Sequence, residues 1–233
     1  MKGSKKLEEF KRGFKWRFLG KEEYGKLWYQ DNSKWYDEIH NSNYILHENF
    51  KDYFKSKSDA KTILEVGCGS GIYPIKNKDL FEGKIYSGLD ISPDAIEQCK
   101  QRSNFEFLCA DIIKMNIEKK YDLVFSHAVI DHVYDIDTFV TKLLDATKKY
   151  LYLNSYRGYF TKLQKHKQNW FENEGIYYND ISVPQIEKVL LNYGLKNDEF
   201  IIRSQKSGQI GENVDTQLVV EVQKNGKISK TNV

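Results

Sequence analysis

The most regular feature of the chain is a change of hydrophobic period near Thr62. From there, short β-branched and aromatic runs alternate with polar stretches whose apolar positions recur at helical spacing. Seven runs read as strands: TILEVG (62–67), KIYSGLD (84–90), FEFLCA (105–110), YDLVFS (121–126), YLYLNS (150–155), FIIRSQ (200–205) and TQLVVEVQ (216–223). Helices are predicted at 93–102, 136–149 and 184–193. Ser92 and Pro93 supply a cap and a first turn for the first of these, and Gly194 suits a left-handed residue closing the last. Strands alternating with helices specify a doubly wound α/β fold, a parallel sheet covered on both faces. The last two strands have no helix between them and predict an antiparallel edge. Before Thr62, aromatic-rich helices are expected at 22–30 and 33–56, and Leu7, Phe10, Phe14 and Phe18 extend a helical spacing that Ser4 could cap. The expected organisation is a helical arm and cap over 1–58, a sheet domain over 59–225 and a frayed tail over 226–233.

Residues 156–182 exceed the connection of about 2–6 residues usual between such elements. Tyr156, Tyr159, Phe160, Trp170, Phe171, Tyr177 and Tyr178 crowd them, so the stretch is not linker-like. A long aromatic connection over the carboxyl end of a sheet is where a substrate cover would sit. The segment is expected to be a lid insertion lining a pocket; a loop folded on its own aromatic cluster is the alternative.

The strongest chemical signal is Leu64-Glu65-Val66-Gly67-Cys68-Gly69-Ser70-Gly71, an apolar strand running into three glycines at alternate positions. Glycine permits positive φ and close approach of a ligand to the backbone, and a helix starting just after would point free N–H groups at it. A P-loop needs Gly-Lys-Ser/Thr where Gly71-Ile72-Tyr73 stands, and a dinucleotide fingerprint needs its third glycine at the position of Ile72. The run instead resembles the first motif of the class I S-adenosylmethionine-dependent methyltransferases, with Glu65, Gly67, Gly69 and Gly71 in the matching places.

The resemblance continues in order. Asp90 and Ile91 end the second strand, Asp111 and Ile112 follow the third, and Tyr121-Asp122-Leu123-Val124-Phe125-Ser126-His127 is similar to the fourth motif. The family implies a Rossmann-like seven-stranded sheet, mostly parallel with an antiparallel C-terminal strand. It also implies S-adenosylmethionine as cofactor, leaving as S-adenosylhomocysteine. Asp90 would accept from the ribose hydroxyls and Ile91 would face the adenine. Asp111 would accept from the adenine amino group beside the Ile112 N–H, and His127 would form a wall near the methyl group.

Beyond the fourth strand, Asp131 and His132 supply a carboxylate and an imidazole that titrates near working pH. His132 is the candidate base for a hydroxyl acceptor, with Asp131 as its orienting partner; a packing and capping role for His132 is the alternative. The Ile-Asp-His-Val run also resembles the ubiquinone-type O-methyltransferases, but Ala128 stands at their first acidic metal ligand, so no metal is expected. The signature of amino-group methylation on nucleic-acid bases is absent, with Ser126-His127-Ala128 in its place. The acceptor pocket is expected to draw on Arg157, His166, Trp170, Tyr177 and Tyr178, with Arg157 holding a phosphate or carboxylate; an Arg–Asp surface pair is the alternative. The layout of 156–182 faintly resembles methyltransferases of bacterial surface-polysaccharide pathways.

Charge narrows the partners. With 36 Lys/Arg against 33 Asp/Glu, the net charge of +3 does not mark a nucleic-acid binder. Residues 1–26 hold nine Lys/Arg and four Glu, about +5, leaving about −2 for the rest. That arm could touch a membrane surface or pack as a lid helix. No apolar run is long enough for a membrane span, no secretory leader is evident, and three cysteines at no metal-type spacing suit reduced thiols in the cytoplasm. The expectation is a monomeric or homodimeric cytoplasmic enzyme that methylates an oxygen of a small polar metabolite, a sugar or phosphorylated compound. Methylation of a small amine and a non-catalytic cofactor-binding subunit are the rivals.

Overall fold

The computed structural model describes residues 24–25, 27–28, 33–41, 48–206 and 216–228. The basic arm at 1–23 lies outside them. Among the described residues, no helix is long and apolar enough to cross a membrane.

Two helices, α1 (Ser33–Asn41) and α2 (Glu48–Ser56), precede the sheet. Where one helix was expected over 33–56, the structure describes two helical segments, and residues 42–47 lie outside the described residues. Tyr24, Gly25, Leu27 and Trp28 lie in turns rather than in the helix expected over 22–30.

Strands β1 (Thr62–Val66), β2 (Ile85–Asp90), β3 (Glu106–Cys109), β4 (Tyr121–His127), β5 (Thr147–Ser155), β8 (Phe200–Lys206) and β9 (Thr216–Gln223) form one sheet in the order β3-β2-β1-β4-β5-β9-β8. All pairings from β3 to β5 are parallel, and β9 is antiparallel to both neighbours. The expected antiparallel edge is present: β9 inserts beside β5, antiparallel to it, and leaves β8 outermost. Leu218, Val219 and Val220 of β9 are fully buried, which suits an inner strand.

Side-chain alternation divides the core. Leu64, Val66, Val124, Leu151 and Leu153 pack with Phe139, Val140, Leu143, Ile186 and Leu190 of α6 (Ile136–Ala146) and α7 (Val183–Asn192). Ile63, Leu123, Phe125 and Tyr152 face the opposite cluster with Phe50, Phe54, Ile96 and Cys99, from α2 and α5 (Pro93–Arg102). One register step would exchange the two sets, so the period of two fixes which residues each helix layer meets. Each fully buried large apolar side chain contributes about 1.5–3 kcal/mol. Two short helices, α3 (Ile72–Lys76) and α4 (Lys78–Phe81), have no signal in the sequence periodicity, being too short to show one.

The expected caps form: Ser92 Oγ accepts from the Ala95 N–H at 3.3 Å, and Gly194, at φ +98°, follows α7. The start of the tail is not frayed. Lys224 N–H donates to the Lys149 carbonyl at 2.8 Å, and Ile228 N–H to that of Asp198 at 2.8 Å. Residues 167–180, read as irregular, form the hairpin β6 (Lys167–Phe171) and β7 (Ile176–Asp180).

The chain runs outward from β1 to β3, then returns with β4 on the other side of β1. This reversal opens a crevice at the carboxyl ends of β1 and β4, where ligands bind in open α/β sheets.

Candidate functional site

A cavity of about 610 Å³ occupies this crevice, within the usual range of small-molecule sites. Its floor is the turn after β1. Gly67 N–H and Cys68 N–H both donate to the Leu89 carbonyl, at 2.7 and 3.1 Å, tying the turn to the end of β2. Gly67 has φ +77°, and a Cβ there would lie 2.0 Å from Val129 Cγ2. Gly69 has φ +51° and only Tyr36 Cε1, at 3.9 Å, near its would-be Cβ. The first glycine thus permits packing of two loops, and the second leaves backbone bare toward the cavity.

Asp90 braces that turn. Its carboxylate accepts from Gly69 N–H and Ser92 N–H, each at 2.8 Å. Burial raises its pKa above the ordinary carboxylate value, and the backbone donors act against that rise. Tyr36, almost fully buried, lies beside Asp90, and burial followed by the Asp90 charge pushes its phenol well up. The helix that carries Tyr36 is anchored by His40 Nε2 on the Ser70 carbonyl at 2.8 Å and by an Asp37–Arg102 ion pair. Glu65 and Gly71 do not reach the cavity. Glu65 is buried on the other face of β1 from Val66 and accepts from Tyr86 Oη at 2.5 Å, while Gly71 packs toward Cys99 Sγ. Both support the turn from behind.

At the end of β3, Asp111 caps a short 3-10 turn (Ile112–Lys114), accepting from Ile113 N–H at 3.0 Å through one oxygen and from Tyr134 Oη at 2.9 Å through the other. Ile91, Ile112 and Ala110 supply apolar walls beside it. Asp90 and Asp111 therefore face one cavity from adjacent strand ends, separated by hydrophobic surface.

The opposite end is aromatic. His127, at the end of β4, lines the cavity and stacks on Tyr152 at 5.2 Å and 19°. Ala128 then takes a left-handed φ of +58°, a conformation costing about 1–3 kcal/mol outside glycine and concentrated at functional sites. The turn it starts delivers His132. The ring is held at Nδ1 by the Tyr177 carbonyl at 2.9 Å, and Nε2 lies 3.2 Å from Tyr156 Oη. A carbonyl only accepts, so Nδ1 carries the hydrogen and Nε2 accepts from Tyr156. Burial lowers the His132 pKa, with the Arg157 charge adding to the effect.

Asp131 does not orient His132. It is fully buried and accepts from Ser155 Oγ at 2.6 Å and from the N–H groups of Tyr156 and Arg157 at 3.4 and 3.3 Å. Neighbouring residues in this tight turn point apart, so the carboxylate anchors the start of the lid segment instead. Burial carries its pKa up to about 7 despite the three donors.

Of the proposed acceptor residues, Tyr178 lines the cavity. Arg157 turns away to Asp180 at 2.9 Å and lies over the Tyr178 ring. His166 accepts from Ser182 N–H at 3.0 Å and faces Asp137 near the start of α6, away from the cavity. Trp170 and Tyr177 pack on each other at 5.1 Å outside the lining. The hairpin explains this division: along β7, Ile176 and Tyr178 point inward and Tyr177 between them does not.

Tyr24 and Tyr134 have no assigned role in the sequence reading, whereas Tyr156 belongs to the stretch expected to line a pocket; Tyr24, Trp28 and Tyr156 line the cavity and Tyr134 does not. Gly25 N–H donates to the Gly175 carbonyl at 2.7 Å and Leu27 N–H to that of Glu174 at 2.8 Å, so the N-terminal segment clasps the hairpin tip. Trp28 thereby meets the His132 ring edge-on at 5.8 Å. The aromatic composition of these segments was the available signal; their pairing depends on contacts distant in sequence.

A family model described as a methyltransferase domain matches residues 57–214, more than half of the chain. Among curated proteins, malonyl-[acyl-carrier protein] O-methyltransferase 1 of Ilyobacter polytropus is 42% identical over 77 residues, 31% of this chain and 29% of that protein. The corresponding enzyme of Acetivibrio thermocellus is 37% identical over 97 residues, 40% of this chain and 33% of that protein. The chain thus spans about a third of the length of these relatives. Among solved structures, the magnesium protoporphyrin IX methyltransferase of Synechocystis PCC 6803 with bound SAM aligns over 90% of this chain and 93% of its own, with a TM-score of 0.54 and 15% identity. That likeness is one of fold.

Proposed function

We propose, for a chain that belongs to the methyltransferase-domain family, that S-adenosylmethionine is the methyl donor and that the acceptor is a hydroxyl on a neutral, ring-bearing small molecule. The observation that carries the acceptor reading is His132: its Nδ1 is fixed by the Tyr177 carbonyl, leaving Nε2 as a proton acceptor beside the cavity.

The residues fit the donor. Gly69 leaves room against the backbone, Asp90 offers acceptor oxygens for a ribose diol, and Asp111 with Ile112 offers an acceptor and a donor for a purine edge. Ile91 gives the base an apolar face. When bound, S-adenosylmethionine supplies an activated methyl carbon on a sulfonium. The chain's task is then to align the acceptor oxygen, exclude water and receive a proton. Trp28, Tyr156 and Tyr178 form an aromatic wall for a planar ring or an apolar sugar face.

Among the described residues lining the cavity there is no Lys or Arg, and Arg157 is paired with Asp180. This favours a neutral acceptor over the phosphorylated compounds anticipated above. The names of the curated relatives favour a second reading, methylation of a malonyl-thioester carboxylate; such an acceptor would lack a cationic partner in this lining. Transfer of labelled methyl from S-adenosylmethionine to a panel of phenols, hexopyranosides, malonyl thioesters and amines, with mass spectrometry of the products, separates the readings. Methyl ethers are expected; product from the thioester or the amines alone would contradict the reading.

Asp90→Asn keeps the shape but loses acceptor capacity. It is expected to weaken S-adenosylhomocysteine binding by about 1–3 kcal/mol, read by calorimetry. Unchanged affinity would remove Asp90 from the ribose site.

A further inference from the structure

We infer that Tyr156 is a catalytic residue, the group that meets the acceptor hydroxyl and passes its proton to His132. This rests on the hydroxyl-acceptor reading and deepens it. Tyr156 lines the cavity, and its hydroxyl lies 3.2 Å from His132 Nε2. Because Nδ1 is committed to the Tyr177 carbonyl, the Tyr156 hydrogen points at Nε2. The phenol oxygen keeps its own lone pairs to accept from a third group. The backbone of Tyr156 is fixed from behind by Asp131, so the phenol projects from a rigid strand end rather than from a free loop.

The transfer balances. The acceptor oxygen forms its bond to the methyl carbon as the carbon–sulfur bond breaks and its electrons stay on sulfur. The acceptor proton moves to the Tyr156 oxygen as the Tyr156 proton moves to Nε2. The positive charge that begins on the sulfonium ends on the His132 imidazolium, and Tyr156 is regenerated. The charged and titratable groups around the ring are Arg157 beyond the end of β5, Glu174 at the hairpin turn, and the phenols Tyr156 and Tyr178. Trp28 covers it from the N-terminal segment.

The test needs two readouts on the full chain. Long-range proton–nitrogen NMR of the imidazoles, without any acceptor, is expected to show His132 with its hydrogen on Nδ1. In Tyr156→Phe the Nε2 resonance should move toward that of a free acceptor nitrogen, with the tautomer unchanged. With the hydroxyl compound that the wild type methylates best, Tyr156→Phe is expected to lower kcat about 10²-fold with S-adenosylhomocysteine affinity within about twofold. Full kcat in Tyr156→Phe on that hydroxyl compound would overturn the relay and leave the proposed function standing, whereas a hydrogen on Nε2 would remove the acceptor nitrogen on which both rest. Wild-type transfer to amines or carboxylates alone would overturn both.

Discussion

Gly67→Ala is expected to destabilise the fold by about 2–5 kcal/mol, whereas Gly69→Ala, two residues on, is expected to cost only about 1–2. Both positions hold left-handed backbone, φ +77° and +51°, and a non-glycine residue there costs about 1–2 kcal/mol. The difference is what the new methyl meets. At Gly67 it would lie 2.0 Å from Val129 Cγ2, and overpacking of this kind costs about a further 1–3 kcal/mol. Val129 cannot yield freely, because its carbonyl accepts from His132 N–H at 2.9 Å. The strain would pass to the turn that presents His132. At Gly69 the nearest atom is 3.9 Å away, so the methyl fits the protein but stands at the lining of the cavity proposed for the donor. Gly69→Ala should therefore remain folded and lose S-adenosylhomocysteine affinity. Denaturant unfolding of the two variants beside calorimetry checks both halves; equal stability would mean that the turn relaxes and Val129 does not constrain it.

His132→Gln is expected to lower kcat by about 10²–10⁴, the range for loss of a general base, with donor affinity unchanged. The wild-type pH profile should show an acid limb. Burial lowers the His132 pKa below the ordinary imidazole value, so the neutral, proton-accepting form persists to lower pH than in a free histidine. The rate should hold level through neutrality and fall only below about pH 6.5. The limb should vanish in His132→Gln. An acid limb that survives the substitution would assign it to another group, and full turnover would favour an acceptor that needs no base.

The parts legible in the sequence are those set by local pattern. Strand positions follow from period-two runs. The glycine turn, Asp90 and Asp111 follow because each sits at the end of a readable strand, and strand ends of a parallel sheet converge. What was not legible depends on contacts far apart in the chain. Asp131 and His132 are adjacent, yet one points into the core to Ser155 and the other toward Tyr156, a divergence that spacing does not reveal. An Arg–Asp pair was an open alternative for Arg157, but which carboxylate it meets was not legible: Asp180 lies 23 residues away across the lid segment. The hairpin holding Tyr177 and Tyr178 was missed because its strands lack a clean alternation; Gly175, at φ +65° in its turn, was the available sign. The two hydrogen bonds from Gly25 and Leu27 to the hairpin tip run between backbone groups, which no side-chain pattern encodes.

A crystal structure of the chain with S-adenosylhomocysteine bears most directly on the donor site. The purine edge should lie on Asp111 and Ile112, the ribose hydroxyls on Asp90 and the sulfur toward His132. A ligand bound elsewhere, or the crevice filled instead by a nicotinamide dinucleotide, would contradict the assignment.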